Sequence, residues 1–142
     1  MERSWPLGMK VERGKIQEFS RVVRATNPAY GAKNSGVEGP ELLAPPTYPV
    51  VLNHWGPSGS QALEEVGCDL KRVLHGEESY RYPSGPLREG QVVTGSMRYL
   101  GDEIKTNRRG EQLRIVKFVT ELRDQSTGEL AVAIQRSIIE KL

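Results

Sequence analysis

Thr47-Tyr48-Pro49-Val50-Val51-Leu52-Asn53-His54-Trp55 is the stretch on which the fold turns. Thr47 can cap a helix, Pro49 suits its first turn, and Gly56-Pro57 would stop it. The segment is apolar on nearly every side, so the helix is expected to be enclosed, because only an enclosed position takes all of those faces out of water. Everything after it reads as strand. Arg72 to Tyr82 is extended and Pro83-Ser84-Gly85-Pro86 turns; Gln91 to Leu100 then alternates, with Val93, Met97 and Tyr99 on one face. Asn107-Arg108-Arg109-Gly110 predicts a hairpin into Leu113 to Leu122, where Val116, Phe118 and Leu122 share a side. Gln125-Ser126-Thr127-Gly128 predicts a further turn into Leu130 to Ile139. Four or five antiparallel strands curled around one buried helix make an α+β architecture.

Upstream, residues 13 to 24 place Ile16, Phe19, Val22 and Val23 at helical spacing, with Lys15, Gln17, Glu18, Arg21 and Arg24 on the other side. Asn27-Pro28 should end this helix. Tyr30 to Pro46 shows no period and reads as a long loop, a kind of segment that often carries function. Gln61 to Val66 is expected to be a short surface helix.

The composition fits one domain over residues 1–142. With 20 basic against 18 acidic side chains, the net charge of +2 implies neither a nucleic-acid nor an anionic-membrane partner. Charge and proline in Met1 to Gly8 argue against a signal peptide, no apolar run approaches the roughly 18 residues of a bilayer span, and the cytoplasm is the expected compartment. Cys68, the single cysteine, lies between Gly67 and Asp69 with no neighbouring histidine and reads as a structural thiol. Two histidines and one cysteine at unmatched spacing support no metal site, and no cofactor is implied.

Some side chains admit two readings. His75 and Glu77, two apart on a strand, would share a face and could form an acid–base pair, or could brace a loop or interface. Tyr48, Val51, Leu52 and Trp55 could line an acyl chain or simply pack the core, and His54 beside them reads as a core or interface histidine. Lys105, Arg108 and Arg109 could meet phosphates of coenzyme A or an acidic carrier protein, or form a solvated turn.

Phe19-Ser20-Arg21-Val22-Val23-Arg24-Ala25-Thr26-Asn27-Pro28-Ala29-Tyr30 resembles the hydratase-2 motif of MaoC-like dehydratases, which runs from an aromatic residue through Gly-Asp to Asn-Pro and a histidine two residues on. The spacing matches. Ala25 stands where that family has its catalytic aspartate and Tyr30 where it has its histidine. Further likeness to the N-terminal-type, non-catalytic members lies in Val11 to Ile16, Leu42 to Pro49, Arg72 to Glu77 and Pro86 to Gly90, so that the resemblance covers residues 8 to 142.

The resemblance implies a hot-dog fold that dimerises, with a catalytic MaoC-like hot-dog chain or with itself. It also implies an acyl-CoA or acyl-carrier-protein substrate, and a part in an (R)-specific enoyl-thioester hydratase or dehydratase in which this half holds the fatty tail. Two other functions fit the residues: a homodimeric acyl-thioester binding module without turnover, and a self-sufficient hydratase or thioesterase working through His75 and Glu77.

Overall fold

The computed structural model describes residues 3–31, 38–55 and 59–142. Along β4 (Gln112–Asp124) and β5 (Leu130–Lys141) alternate side chains point to one face, and the register Leu122↔Val132, Thr120↔Ile134, Phe118↔Arg136 and Val116↔Ile138 stacks them into a mostly apolar floor. β3 (Val92–Thr106) adds Val93 and Met97 to it, and β1 (Ser4–Lys10) adds Trp5 and Met9. With β2 (Val73–Arg81) the five strands form one antiparallel sheet in the order β1-β3-β4-β5-β2. The first strand was not expected. Pro6 and Gly8 mask the alternation of Trp5, Leu7 and Met9, and Pro6 is tolerated there because β1 is an edge strand.

α1 (Arg13–Val22) lies over one end of the floor, and a 3-10 turn over Tyr48–Val51 runs into the single turn of α2 (Leu52–Trp55). Both depart from expectation. At 3.6 residues per turn Val22 lies about 120° round from Ile16 and so cannot share its face; Val22 is 80% exposed and Val23 45%. Gln17 and Ser20 are buried instead, and the Ser20 hydroxyl donates to the Tyr30 carbonyl at 3.0 Å. In the second segment only Tyr48, Pro49 and Leu52 are buried, while His54 and Trp55 stand in solvent, so the enclosed helix is a short plug rather than a continuous rod. Thr47 makes no side-chain cap. The expected stop at Gly56-Pro57, and part of the Tyr30 to Pro46 loop, lie outside the described residues.

α3 (Gly59–Glu65) is the expected short helix, but it buries Ala62 and Leu63 against the sheet. The described end of the long loop is not free either. Leu42 and Ala44 are buried, and their carbonyl and amide join Glu89 and Leu87.

Two packed clusters result. Val11, Ile16, Tyr48, Leu52, Leu87, Val93 and Leu122 form one, and Trp5, Ala62, Leu63, Met97, Phe118 and Ile138 the other. Full burial of each large apolar side chain contributes about 1.5–3 kcal/mol. Arg114 fastens the connection after α3 to the floor: it donates to the carbonyls of Val66 at 2.8 Å and Gly67 at 3.2 Å, and pairs with Glu140 at 3.1 Å and with Asp102. Hydrogen bonds from Tyr99 and Arg114 hold the Asp102 carboxyl below the usual carboxylate range. Cys68 is buried beside this junction, and burial pushes its thiol up, with the Glu140 charge adding and Arg114 opposing.

Two outcomes check this packing. A Cβ on Gly95 would sit 1.9 Å from the Glu121 carbonyl oxygen, whereas one on Gly14 would meet nothing within 4 Å. Gly95→Ala should therefore lower unfolding stability by about 3 kcal/mol or prevent folding, and Gly14→Ala should raise it by about 0.5 kcal/mol, both read from urea denaturation. Cys68 should resist an aromatic disulfide reagent at about pH 8 in the folded protein and react promptly in denaturant; fast labelling of the native chain would contradict its burial.

Candidate functional site

The hydratase-like motif keeps its backbone for reasons visible in its hydrogen bonds. α1 ends in a pair of closing bonds, Arg24 N–H to the Arg21 carbonyl and Ala25 N–H to the Ser20 carbonyl, with Arg24 at φ 55°. That left-handed conformation is the one glycine adopts freely, and Arg24 stands just before the aspartate position, where the motif has its glycine. Asn27 then caps the 3-10 turn Pro28–Tyr30 by accepting from Ala29 N–H at 3.0 Å, and Pro28 occupies its first position. The Asn-Pro pair is thus a structural stop and restart. Ala25 and Tyr30 are both partly exposed, and neither side chain is an imidazole or a carboxylate.

A sizeable cavity lies elsewhere, over the second cluster. Its volume is about 570 Å³, and Met97, Phe118 and Ile138 form its floor. Leu63 and Leu70 wall it on one side, Val50, Asn53 and His54 on another, and Val73 and His75 carry it out to β2. Such a size suits a small ligand or one segment of a long one. Of the four side chains expected to line an acyl site, Tyr48 and Leu52 are core, Val51 packs against that core, and Trp55 is 48% exposed. The cavity takes Val50, Asn53 and His54 from the same segment, so the wall is the neighbouring face. Tyr48 is fully buried with Phe19 edge-on to its ring at 5.6 Å, and burial first, then the Glu12 and Glu18 charges, push its phenol up to about 12.

His75 and Glu77 do not meet. The ladder shifts register between them at Gly76, so that His75 pairs with Ile138 and Glu77 with the adjacent Ser137, which face opposite sides of the sheet. Gly76 permits this bulge, since a Cβ there would lie 2.9 Å from the Ser137 carbonyl oxygen. His75 borders the cavity, while Glu77 stands on the outer face with Ser79, Lys117 and Gln135. Lys105, Arg108 and Arg109 are exposed at the β3–β4 hairpin and do not border the cavity. Among the described residues no group of three or more possible metal ligands comes together, and no helix is long and apolar enough to cross a membrane.

Arg136 was missed. It occupies an inward position between Ile134 and Ile138, pairs with Glu78 at 2.6 Å and donates to the Asn53 side-chain oxygen at 2.9 Å. Glu78 also accepts from the Tyr80 hydroxyl at 2.9 Å, and burial followed by that bond raises the Tyr80 phenol above its ordinary value. The signal was legible: a cation where strand alternation places an apolar side chain. Removing one partner of such a half-sheltered ion pair costs about 3 kcal/mol.

A family model described as FAS1-like, dehydratase domain region, matches residues 3–134. A UPF0336 protein of Thermobifida fusca is 39% identical over 93 residues, which cover 63% of this chain and 59% of that protein. The chain thus spans about three-fifths of the length of this curated relative. Among solved structures, the C-terminally truncated HadBC (3R-hydroxyacyl-ACP dehydratase) complex from Mycobacterium tuberculosis superposes with a TM-score of 0.69 at 19% identity, covering 97% of this chain and 95% of that one. The MaoC-like dehydratase from Rhodospirillum rubrum gives 0.60 at 15% identity, covering 99% and 92%. At such identities these likenesses speak for the fold alone, and the fold they share with this curled sheet and its plug is the hot-dog. With its family model spanning nearly the whole length, this chain belongs to the FAS1-like dehydratase domain-region family.

Proposed function

We propose that this chain is the substrate-holding half of an (R)-specific enoyl-thioester hydratase or (3R)-hydroxyacyl-thioester dehydratase, acting on acyl-CoA or acyl-carrier-protein thioesters. Its chemistry is supplied by a catalytic MaoC-like hot-dog partner chain. One observation carries this reading: an apolar-floored cavity of about 570 Å³ sits in a chain whose hydratase-like motif has Ala25 and Tyr30 at its two chemical positions. Adding water across an enoyl thioester requires a carboxylate and an imidazole on the same water, one taking a proton while another reaches the α carbon. Alanine has no group to offer, and a phenol is neither the carboxylate nor the imidazole that this step uses.

The cavity supports the division of labour. It reaches β2 through Val73 and His75, and β2 has a neighbour on one side only. An open edge is a ready template for another chain, and a partner added there would border the cavity. The thioester then stays among the partner's acid and base while the tail lies over Met97, Phe118 and Ile138. A second copy of this chain could use the same edge, which is the binding-module reading. The separation of His75 and Glu77 onto opposite faces disfavours the self-sufficient enzyme.

Purified alone, the chain should bind long-chain acyl-CoA yet show no hydration of trans-2-enoyl-CoA. Mixed with a hot-dog chain that carries the intact Asp and His, it should sediment as a heterodimer and extend the range of chain lengths turned over. Val50→Trp, which fills the cavity from the α2 side, should weaken long-chain binding about tenfold and leave short chains nearly unchanged. Robust turnover by this chain alone, abolished by changing His75, would contradict the proposal.

A further inference from the structure

The cavity is not the hydrocarbon slot that a plain fatty tail would need. The inward face of β5 runs through Val132, Ile134 and Ile138, but the position between the isoleucines, where the cavity begins, is Arg136. A leucine there would serve a methylene chain better and spare the desolvation of a guanidinium. Glu78 cancels the charge at 2.6 Å and Asn53 takes one N–H at 2.9 Å. The Nε–H is buried and has no partner among the described residues. Arginine offers five donors in a fixed fork, and a buried donor left unmade is costly, so an orphan of this kind calls for an explanation. Arg136, Asn53 and Met97 also line an adjoining crevice under Leu52 and Ile134, so the side chain that carries the unused donor borders both spaces.

Resting on the reading that this cavity holds an acyl tail, we propose that Arg136 selects tails bearing a neutral oxygen function, a keto, ether or hydroxyl group, along the chain. An acceptor oxygen would complete the Nε–H, and the remaining methylenes would lie on Met97, Phe118 and Ile138. Neutrality follows from Glu78, whose carboxylate already balances the guanidinium and would repel a second anion beside it.

The test is a binding titration of the purified chain. The ligands are hexadecanoyl-CoA, a set of matched thioesters with one keto group at successive positions along the tail, and a matched thioester ending in a carboxylate. At one keto position affinity should exceed that of the plain chain about tenfold, the gain expected for a neutral acceptor on a charged donor; the terminal carboxylate should bind no better than the plain chain. The Nε–H resonance of Arg136 should move with the favoured keto ligand and stay put with the plain one, a readout that needs no variant. In the double variant Glu78→Met with Arg136→Met, which removes both charges together, the ratio of keto to plain-chain affinity should fall to about one, whatever happens to the plain-chain affinity itself. Plain-chain binding with no keto advantage at any position, or an advantage that survives in the double variant, overturns this inference and leaves the tail-holding reading standing. Failure of plain and keto thioesters alike to bind overturns both.

Discussion

Arg136 stands where period-two alternation calls for an apolar side chain, and its bonds to Glu78 on β2 and Asn53 on α2 tie the edge strand and the helical plug to β5. Much of the upper architecture depends on that tie. α2 is a single turn and buries only Leu52, too little apolar area to fix its own position. Asn53 holds it at the rim of the second cluster, with Gly59 at the start of α3 close enough that a Cβ there would lie 3.7 Å from the guanidinium. Between this joint and the wall of Leu63 and Leu70 the sheet is left uncovered, and that uncovered floor is the cavity.

The hydratase-like segment is built on backbone constraints of its own. Its conserved-looking spacing is explained by backbone needs: a left-handed residue to close α1, an asparagine to cap the next turn, a proline to start it. Arg24, Asn27 and Pro28 meet those needs through the backbone alone, so the spacing of the segment says nothing of the chemistry at Ala25 and Tyr30. Arg24 in the left-handed region costs about 1 kcal/mol relative to glycine, a strain the helix end absorbs.

Much of the fold was legible in the sequence. Val93 and Met97 on β3, Val116, Phe118 and Leu122 on β4, and both hairpin turns follow directly from alternation and turn chemistry. What alternation cannot supply is where it breaks. The bulge at Gly76 reverses the side of Glu77 relative to His75; a glycine inside a strand hints at such a bulge, but it does not fix where the register shifts. The apolar stripe of α1 does not extend to Val22, which six residues on from Ile16 has turned about 120° away from the buried face. The site was less legible than the fold. Val50, Asn53 and His54 face the cavity rather than Val51 and Trp55, because the segment begins as a 3-10 turn and rotates its side chains relative to an α-helix. Arg136 was visible as an exception to the pattern, but an exception declares a site only once the partners that surround it are known.

The cavity over the second cluster is a tail site only if an acyl tail lies there. A stearoyl thioester carrying a nitroxide on its tail, bound to methyl-labelled protein, would broaden the resonances of whatever it touches. The expected result is loss of signal from Leu63, Val73, Met97 and Ile138, with Val22, Val23 and Ala25 left sharp. Broadening centred on Ala25 and its neighbours, with the methyls over the second cluster untouched, would contradict it.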